Sequence, residues 1–162
     1  MAIVDVRIDD RLVHGQVCSN WIPYYSLDRI VIVDDEISQD EQRKAILKLG
    51  CAGRCKLSVF DAVKAADKFS RGIDEGIRVM ILCNRPRPLV QMMGSGFKVD
   101  HVTVGNMSTK QDARQIHNNT FVSPDEARDF GELVAQGVPI WSWIVPTETR
   151  KDITSLFEAR EG

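Results

Sequence analysis

The sequence predicts an α/β fold: an open, mostly parallel central sheet with helices on both faces. Three observations predict it. Short apolar runs rich in β-branched residues recur along the chain, each too short for an independent helix. Longer amphipathic segments with apolar residues at helical spacing separate them. The two kinds alternate β-α-β-α, the order in which crossover helices join parallel strands and cover the sheet on both sides.

The elements follow in order. Strands are expected at Ala2 to Val6, Arg29 to Val33, Lys56 to Val59, Arg78 to Leu82 and His101 to Val104, and helices at Gln39 to Leu49, Asp61 to Arg71 and Pro86 to Met93. Ser38 and Asp61 have side chains suited to capping helices, Gly50 and Gly72 stand where helices stop, and Gly94-Ser95-Gly96 marks a tight turn. Further on, Ser123 is placed to cap a helix with Pro124 at its first position, running to about Gln136 and ended by Gly137. Ile140 to Val145 reads as a last strand, on which Trp141 and Trp143 would point to one face as core or dimer contacts. Glu148 to Glu161 reads as a terminal amphipathic helix or a partly ordered tail. No repeat, linker or low-complexity tract divides the 162 residues, so one domain is expected.

Composition excludes several classes. With 43% hydrophobic and 27% charged residues the chain suits a globular core, and a net charge of -2 provides no general field for nucleic acid. No run approaches the roughly 20 apolar residues that span a bilayer, and the start MAIVDVRIDD lacks a signal peptide's regions, so a cytoplasmic protein is expected. Cys51 and Cys55 have a C-x3-C spacing, but no second Cys/His pair follows at a zinc-site spacing. All four cysteines are therefore read as reduced thiols, and no metal or cofactor is expected.

In open α/β sheets ligands gather at the carboxyl ends of strands. The loop after the first strand packs Arg7, Asp9, Asp10, Arg11, His14 and Gln16 into ten residues before turning apolar at Val17 and Trp21, as a short helix would. An imidazole with an ordinary pKa of about 6.5 is a nucleophile near neutral pH, and a guanidinium holds phosphate oxygens in a two-pronged fork. Phosphoryl transfer needs little more than a nucleophile, alignment and compensating charge. Gly15 would let the backbone approach a phosphate, and Asp9 or Asp10 would orient the imidazole or fix an arginine; the residues alone leave open which. His101, at the start of a strand, and His117, in a polar stretch, are weighed against it, and no pair of histidines has a helical ligand spacing for a metal.

The run Arg7-Ile8-Asp9-Asp10-Arg11-Leu12-Val13-His14-Gly15-Gln16-Val17 resembles the phosphorylation loop of the mannose/sorbose-type enzyme IIB components of the bacterial sugar phosphotransferase system. The likeness continues through Asp34-Asp35-Glu36, Val102 to Met107 and Thr120 to Glu126, so it covers nearly the whole of 1–162 as a single IIB domain. It implies His14 as a phosphohistidine, charged by a IIA phosphodonor and discharged to a sugar imported through membrane IIC and IID components. It implies Arg11 as a holder of the phosphoryl group, Asp9 as its acidic neighbour, and phosphate contacts from Arg7, Gly15, Gln16 and Asn106. A cytoplasmic subunit peripherally associated with the transporter follows, and a homodimer, since dimers are common in the family.

Where many relatives read Val-Gly-Gly-Met, this chain has Val104-Gly105-Asn106-Met107; with Val145 to Glu148 this resembles members for N-acetylgalactosamine, an amino sugar, ahead of mannose, fructose or sorbose. The rival reading is a noncatalytic phosphate-sensing or interaction module of the same fold. Nucleotide binding is disfavoured, because no Walker A motif or glycine fingerprint follows the first strand.

Overall fold

The computed structural model describes residues 3–15 and 17–158. β1 (Ile3–Asp9), β2 (Arg29–Val33), β3 (Lys56–Phe60), β4 (Val79–Cys83), β5 (Val102–Asn106) and β8 (Ile140–Ser142) pair in parallel, and β9 (Lys151–Asp152) adds antiparallel to β8. The spatial order is β3-β2-β4-β1-β5-β8-β9, so β1 is central. A second, two-stranded antiparallel sheet joins β6 (Arg114–His117) to β7 (Thr120–Val122).

Alternation along the strands divides the core in two. Val31, Val33, Val79 and Ile81 face one side, under α3 (Ala62–Ser70), α4 (Arg87–Gly94) and α5 (Pro124–Ala135), which contribute Phe69, Leu89, Met92, Phe130 and Leu133. Ile30, Ile32, Met80 and Leu82 face the other, under a π-helical turn (Val17–Trp21), α1 (Ile22–Tyr25) and α2 (Glu41–Gly50), which contribute Trp21, Ile22 and Leu47. Each fully buried aliphatic side chain contributes roughly 1.5–3 kcal/mol, so both layers hold the sheet in place. β1 meets the first face through Val6 and Ile8; on the second, beyond Val4, it carries Asp5, Arg7 and Asp9, all buried.

Local signals act mostly where expected. Asp61 caps α3 by accepting from Lys64 N–H at 2.7 Å. Ser123 and Glu126 form a reciprocal capping box at the start of α5. α2 starts later than expected: Ser38 lies in a 3-10 turn (Ile37–Gln39), and Asp40 is the cap, accepting from Arg43 N–H at 3.0 Å.

Four further differences have physical causes. β1 runs on to Asp9, because its polar residues find buried partners on β5 and in the following loop. The β6–β7 hairpin forms from a segment too polar to read as strand, its turn made by Asn118 and Asn119, the latter in left-handed backbone with φ 58°. The last parallel strand stops at Ser142. After it, residues read as a terminal helix instead pair as β9 and close in a 3-10 turn (Thr154–Phe157) that buries Ile153 and Phe157. Ala2 and the end of the chain from residue 159 lie outside the described residues. Trp143 packs edge-on against Trp21 at 4.7 Å, while half-buried Trp141 stacks on His101 at 5.4 Å; the Arg150 guanidinium lies over Trp141 at 4.0 Å and near Trp143 at 5.8 Å.

Candidate functional site

The site forms where β1 ends beside β5, at the carboxyl edge of the parallel sheet. Asp9 is the last residue of β1 and only 1% exposed. The chain then turns sharply, Leu12 N–H donating to the Asp9 carbonyl at 2.9 Å, and Leu12 enters the left-handed region with φ 55°. That conformation strains a residue bearing a Cβ. It persists because the Leu12 side chain is buried with Trp21, Ile22 and Leu47, pinning the loop to the core while Arg11 stays at the surface. Val13 packs against Gly50 so closely that a Cβ there would stand 2.7 Å from Val13 Cγ1. His14 follows, its carbonyl accepting from Cys18 N–H at 3.0 Å as the chain enters the π-helical turn.

One carboxylate organises this loop. Asp9 Oδ1 accepts from the Arg11 backbone N–H at 3.0 Å and from Arg11 Nε at 3.1 Å. Asp9 Oδ2 accepts from Arg11 Nη2 at 3.0 Å and lies 3.3 Å from His14 Nε2. Arg11 is thereby held more firmly in its charged form, chiefly by these hydrogen bonds. Asp10 points to β5 instead. Its Oδ1 accepts from Asn106 Nδ2 at 2.8 Å, its Oδ2 from Ser108 N–H at 2.6 Å, and its own N–H donates to the Asn106 carbonyl. Of the two aspartates it is therefore Asp9 that touches the imidazole, while Asp10 ties the loop to the end of β5.

The structure brings together His14, Arg11, Asp9 and Asn106. Asn106, expected to face a phosphate, spends its amide on Asp10 and Ser108 instead. Arg7, expected in the loop, lies inside β1 and is 1% exposed: its Nη2 donates to the Ile144 carbonyl at 3.2 Å and its guanidinium lies 4.1 Å from the Trp21 ring. The correction has a simple cause, since a charged residue in a strand resembles loop until its buried partners are known. Gly15 is exposed, with open space where a Cβ would be, and Gln16 lies outside the described residues. His101 contacts Asp5 at 3.0 Å, well down β1 from His14, and His117 sits at the end of β6. Sequence reading missed Gly105, Trp21 and Ser108; the Gly in Val104-Gly105-Asn106 was the one available signal. Among the described residues no group of three or more His, Cys, Asp or Glu is placed to hold a metal ion. Cys18, Cys51, Cys55 and Cys83 are unbridged.

The family model for the sorbose-subfamily IIB component of the phosphotransferase system matches residues 3–162. The chain belongs to this IIB family. The fructose-specific EIIB component of Bacillus subtilis is 32% identical over 156 residues, covering 96% of each chain. The N-acetylgalactosamine-specific enzyme IIB component 2 of Escherichia coli is 27% identical, covering 95% of this chain and 98% of that one. The solved IIB domain of the sorbose permease from Klebsiella pneumoniae superposes with a TM-score of 0.86 at 26% identity, covering 96% of this chain and 95% of that one. IIB components are phosphotransferase subunits that work with IIA and with membrane IIC and IID partners, and phosphoryl transfer to sugar is their general role. No helix among the described residues is long and apolar enough to cross a membrane.

Proposed function

We propose that this IIB domain accepts a phosphoryl group on His14 from a phosphorylated IIA protein and passes it to a sugar entering through IIC and IID. The contact of Asp9 Oδ2 with His14 Nε2 at 3.3 Å carries the reading. An Nε2–H donating to Asp9 leaves the imidazole lone pair on Nδ1, where it attacks phosphorus. The donor's P–N bond breaks as the His14 P–N bond forms. In the second half, the His14 P–N bond breaks as the sugar hydroxyl forms a P–O bond, the hydroxyl proton passing to solvent and His14 returning to its neutral form.

Arg11 supplies the charge. Its fork lies on Asp9 before transfer, and its side chain is 38% exposed, so it reaches an arriving phosphoryl group by rotating at the surface. Asp9 holds the ring throughout. The protein is then a protein-histidine phosphotransferase of the cytoplasm, peripherally associated with its membrane partners and using no cofactor. The sugar belongs to the range of ketoses, hexoses and amino sugars handled by its relatives, with N-acetylgalactosamine favoured by the resemblance at Asn106 and at Val145 to Glu148.

Incubation with phospho-IIA should place one acid-labile phosphate per chain on His14, and His14→Ala should abolish it without unfolding the protein. Label that persists in His14→Ala, or maps to His101 or His117, overturns the assignment. Reconstitution with IIC and IID reads the sugar: phosphorylation of a simple hexose or ketose and not of an amino sugar rejects the N-acetylgalactosamine preference.

A further inference from the structure

We propose that Arg7 is a positioning residue for His14: a permanent buried counter-charge to Asp9 that keeps this carboxylate aimed at the imidazole while Arg11 turns away to grip the phosphoryl group. The inference deepens the phosphohistidine reading and rests on it for its kinetic consequence, though not for the electrostatic pairing itself.

The geometry begins at Gly105. A Cβ built on this glycine would stand 2.3 Å from Arg7 Nη2 and 3.1 Å from Asp9 Oδ2. Both groups therefore crowd over one bare backbone position of β5 and lie within about 5.5 Å of each other, close enough for opposite charges in a buried setting to attract strongly. The Asp9 oxygen concerned is the one that touches His14.

Arg7 cannot swing out as Arg11 can. Its guanidinium is held by the Ile144 carbonyl and by the face of Trp21, itself clamped by Trp143 at 4.7 Å and Tyr25 at 5.7 Å. Burial makes its charge costly, and Asp5 and Asp9 offset that cost. Its Nε has no hydrogen-bond partner among the described residues, so this cation is kept with incomplete local satisfaction. Asp5, on the other side of Arg7, already has Thr103 Oγ1 at 2.9 Å, His101 Nε2 at 3.0 Å and the Tyr25 hydroxyl. Asp9 is the carboxylate whose other counter-ion must leave during transfer. Without Arg7, moving Arg11 onto the phosphoryl group would strand a carboxylate that is 1% exposed beside the attacking ring.

The test is a double-mutant cycle of Arg7→Met and Asp9→Asn in the full chain, with Arg7→Lys as the conservative variant. His14 phosphorylation is followed with phospho-IIA and with potassium phosphoramidate, and stability by urea unfolding. Arg7→Met is expected to slow transfer by about tenfold or more in the parent and by less than about twofold in Asp9→Asn, with Arg7→Lys recovering most of the rate. The 15N spectrum of the unphosphorylated protein should show His14 losing part of its Nε2–H form in Arg7→Met. If Arg7→Met fails to fold, Gly105→Ala, which drives a methyl into the guanidinium, should give a weaker version of the same pattern. Equal losses in both backgrounds, an unchanged imidazole spectrum and no rescue by lysine would reduce Arg7 to a structural residue and overturn the proposal. If the parent takes no phosphate on His14 while the unfolding cycle still shows coupling, the pairing of Arg7 with Asp9 is upheld and the phosphohistidine reading falls.

Discussion

Asp9→Asn is the substitution to which the proposed chemistry is most exposed. It keeps the shape of the side chain, and its oxygen still accepts the two Arg11 contacts now made by Oδ1, the backbone N–H at 3.0 Å and Nε at 3.1 Å. The other end of the amide becomes a donor facing two donors, Arg11 Nη2 and His14 Nε2. The imidazole answers by moving its proton to Nδ1 and accepting at Nε2, which removes the lone pair from the atom that attacks phosphorus. A ring held in the wrong tautomer loses on the order of 10²–10⁴ in rate. Stability falls far less: Arg11 is 38% exposed and keeps two contacts to the amide oxygen, and with the weakened support of buried Arg7 the total is about 1–3 kcal/mol. A domain stable by about 5–15 kcal/mol remains folded after such a loss, so unfolding cannot imitate the kinetic defect. Timed phosphorylation of His14 by phospho-IIA, run beside urea unfolding, separates the two quantities. Transfer at the parental rate by a folded Asp9→Asn protein would refute the role given to Asp9.

The remaining expectations probe the loop and its surroundings. Arg11→Lys should transfer more slowly than the parent yet faster than Arg11→Ala, whose loss should approach about 10³-fold with little change in its unfolding midpoint, because lysine keeps the charge without the fork; equal rates for parent and Arg11→Ala would leave only a surface ion pair. Leu12→Ala should cost about 2–4 kcal/mol by urea unfolding, and Leu12→Gly no more than that, reversing the usual order because φ 55° favours glycine; a glycine variant clearly less stable than the alanine one contradicts the strain. Cys55 should be the first thiol alkylated by iodoacetamide and should react at lower pH than an ordinary cysteine, since the Cys51 thiol favours its thiolate, whereas burial pushes Cys83 and Cys18 up and slows them; mass spectrometry showing Cys83 labelled first in the native protein rejects this order. Ser123→Ala should cost about 1 kcal/mol of stability by loss of the capping box, with no change in His14 phosphorylation.

What the sequence displayed and what it hid follow from one distinction. Periodicity and capping are local, so the alternation of elements, the Asp61 cap and the Ser123-Pro124 start of α5 were legible from neighbours alone. The pairing of Ser142 with Lys151 and the hairpin at Asn118-Asn119 depend on edges and turns whose residues are polar, and there local patterning favours loop or helix. That His14 and Arg11 share one loop was legible from their spacing, and the structure sets both on the Asp9 carboxylate. The division of labour between Asp9 and Asp10 was not, since adjacent carboxylates differ only in what β5 sets against them: Gly105 beneath Asp9, Asn106 and Ser108 around Asp10.

Asp5, Arg7 and Asp9 show why the site was harder to read than the fold. In sequence they are three charges at period two, which reads as the end of a strand and the start of a loop. In the structure the same period puts them in one row on a face that is otherwise apolar, Asp5 and Arg7 held by groups far along the chain, Thr103 and His101 for Asp5 and Trp21 and Ile144 for Arg7, and Asp9 by Arg11 and His14 of the loop that follows it. A buried row of alternating sign has no use as packing, for apolar residues would hold the sheet at lower cost in desolvation. In the proposed phosphoryl transfer its value lies at the end that reaches the surface, where Asp9 meets His14 and Arg11. The polar interruption of the central strand and the loop beyond it thus form one electrostatic unit, with Arg7 inside the sheet and Arg11 at its surface.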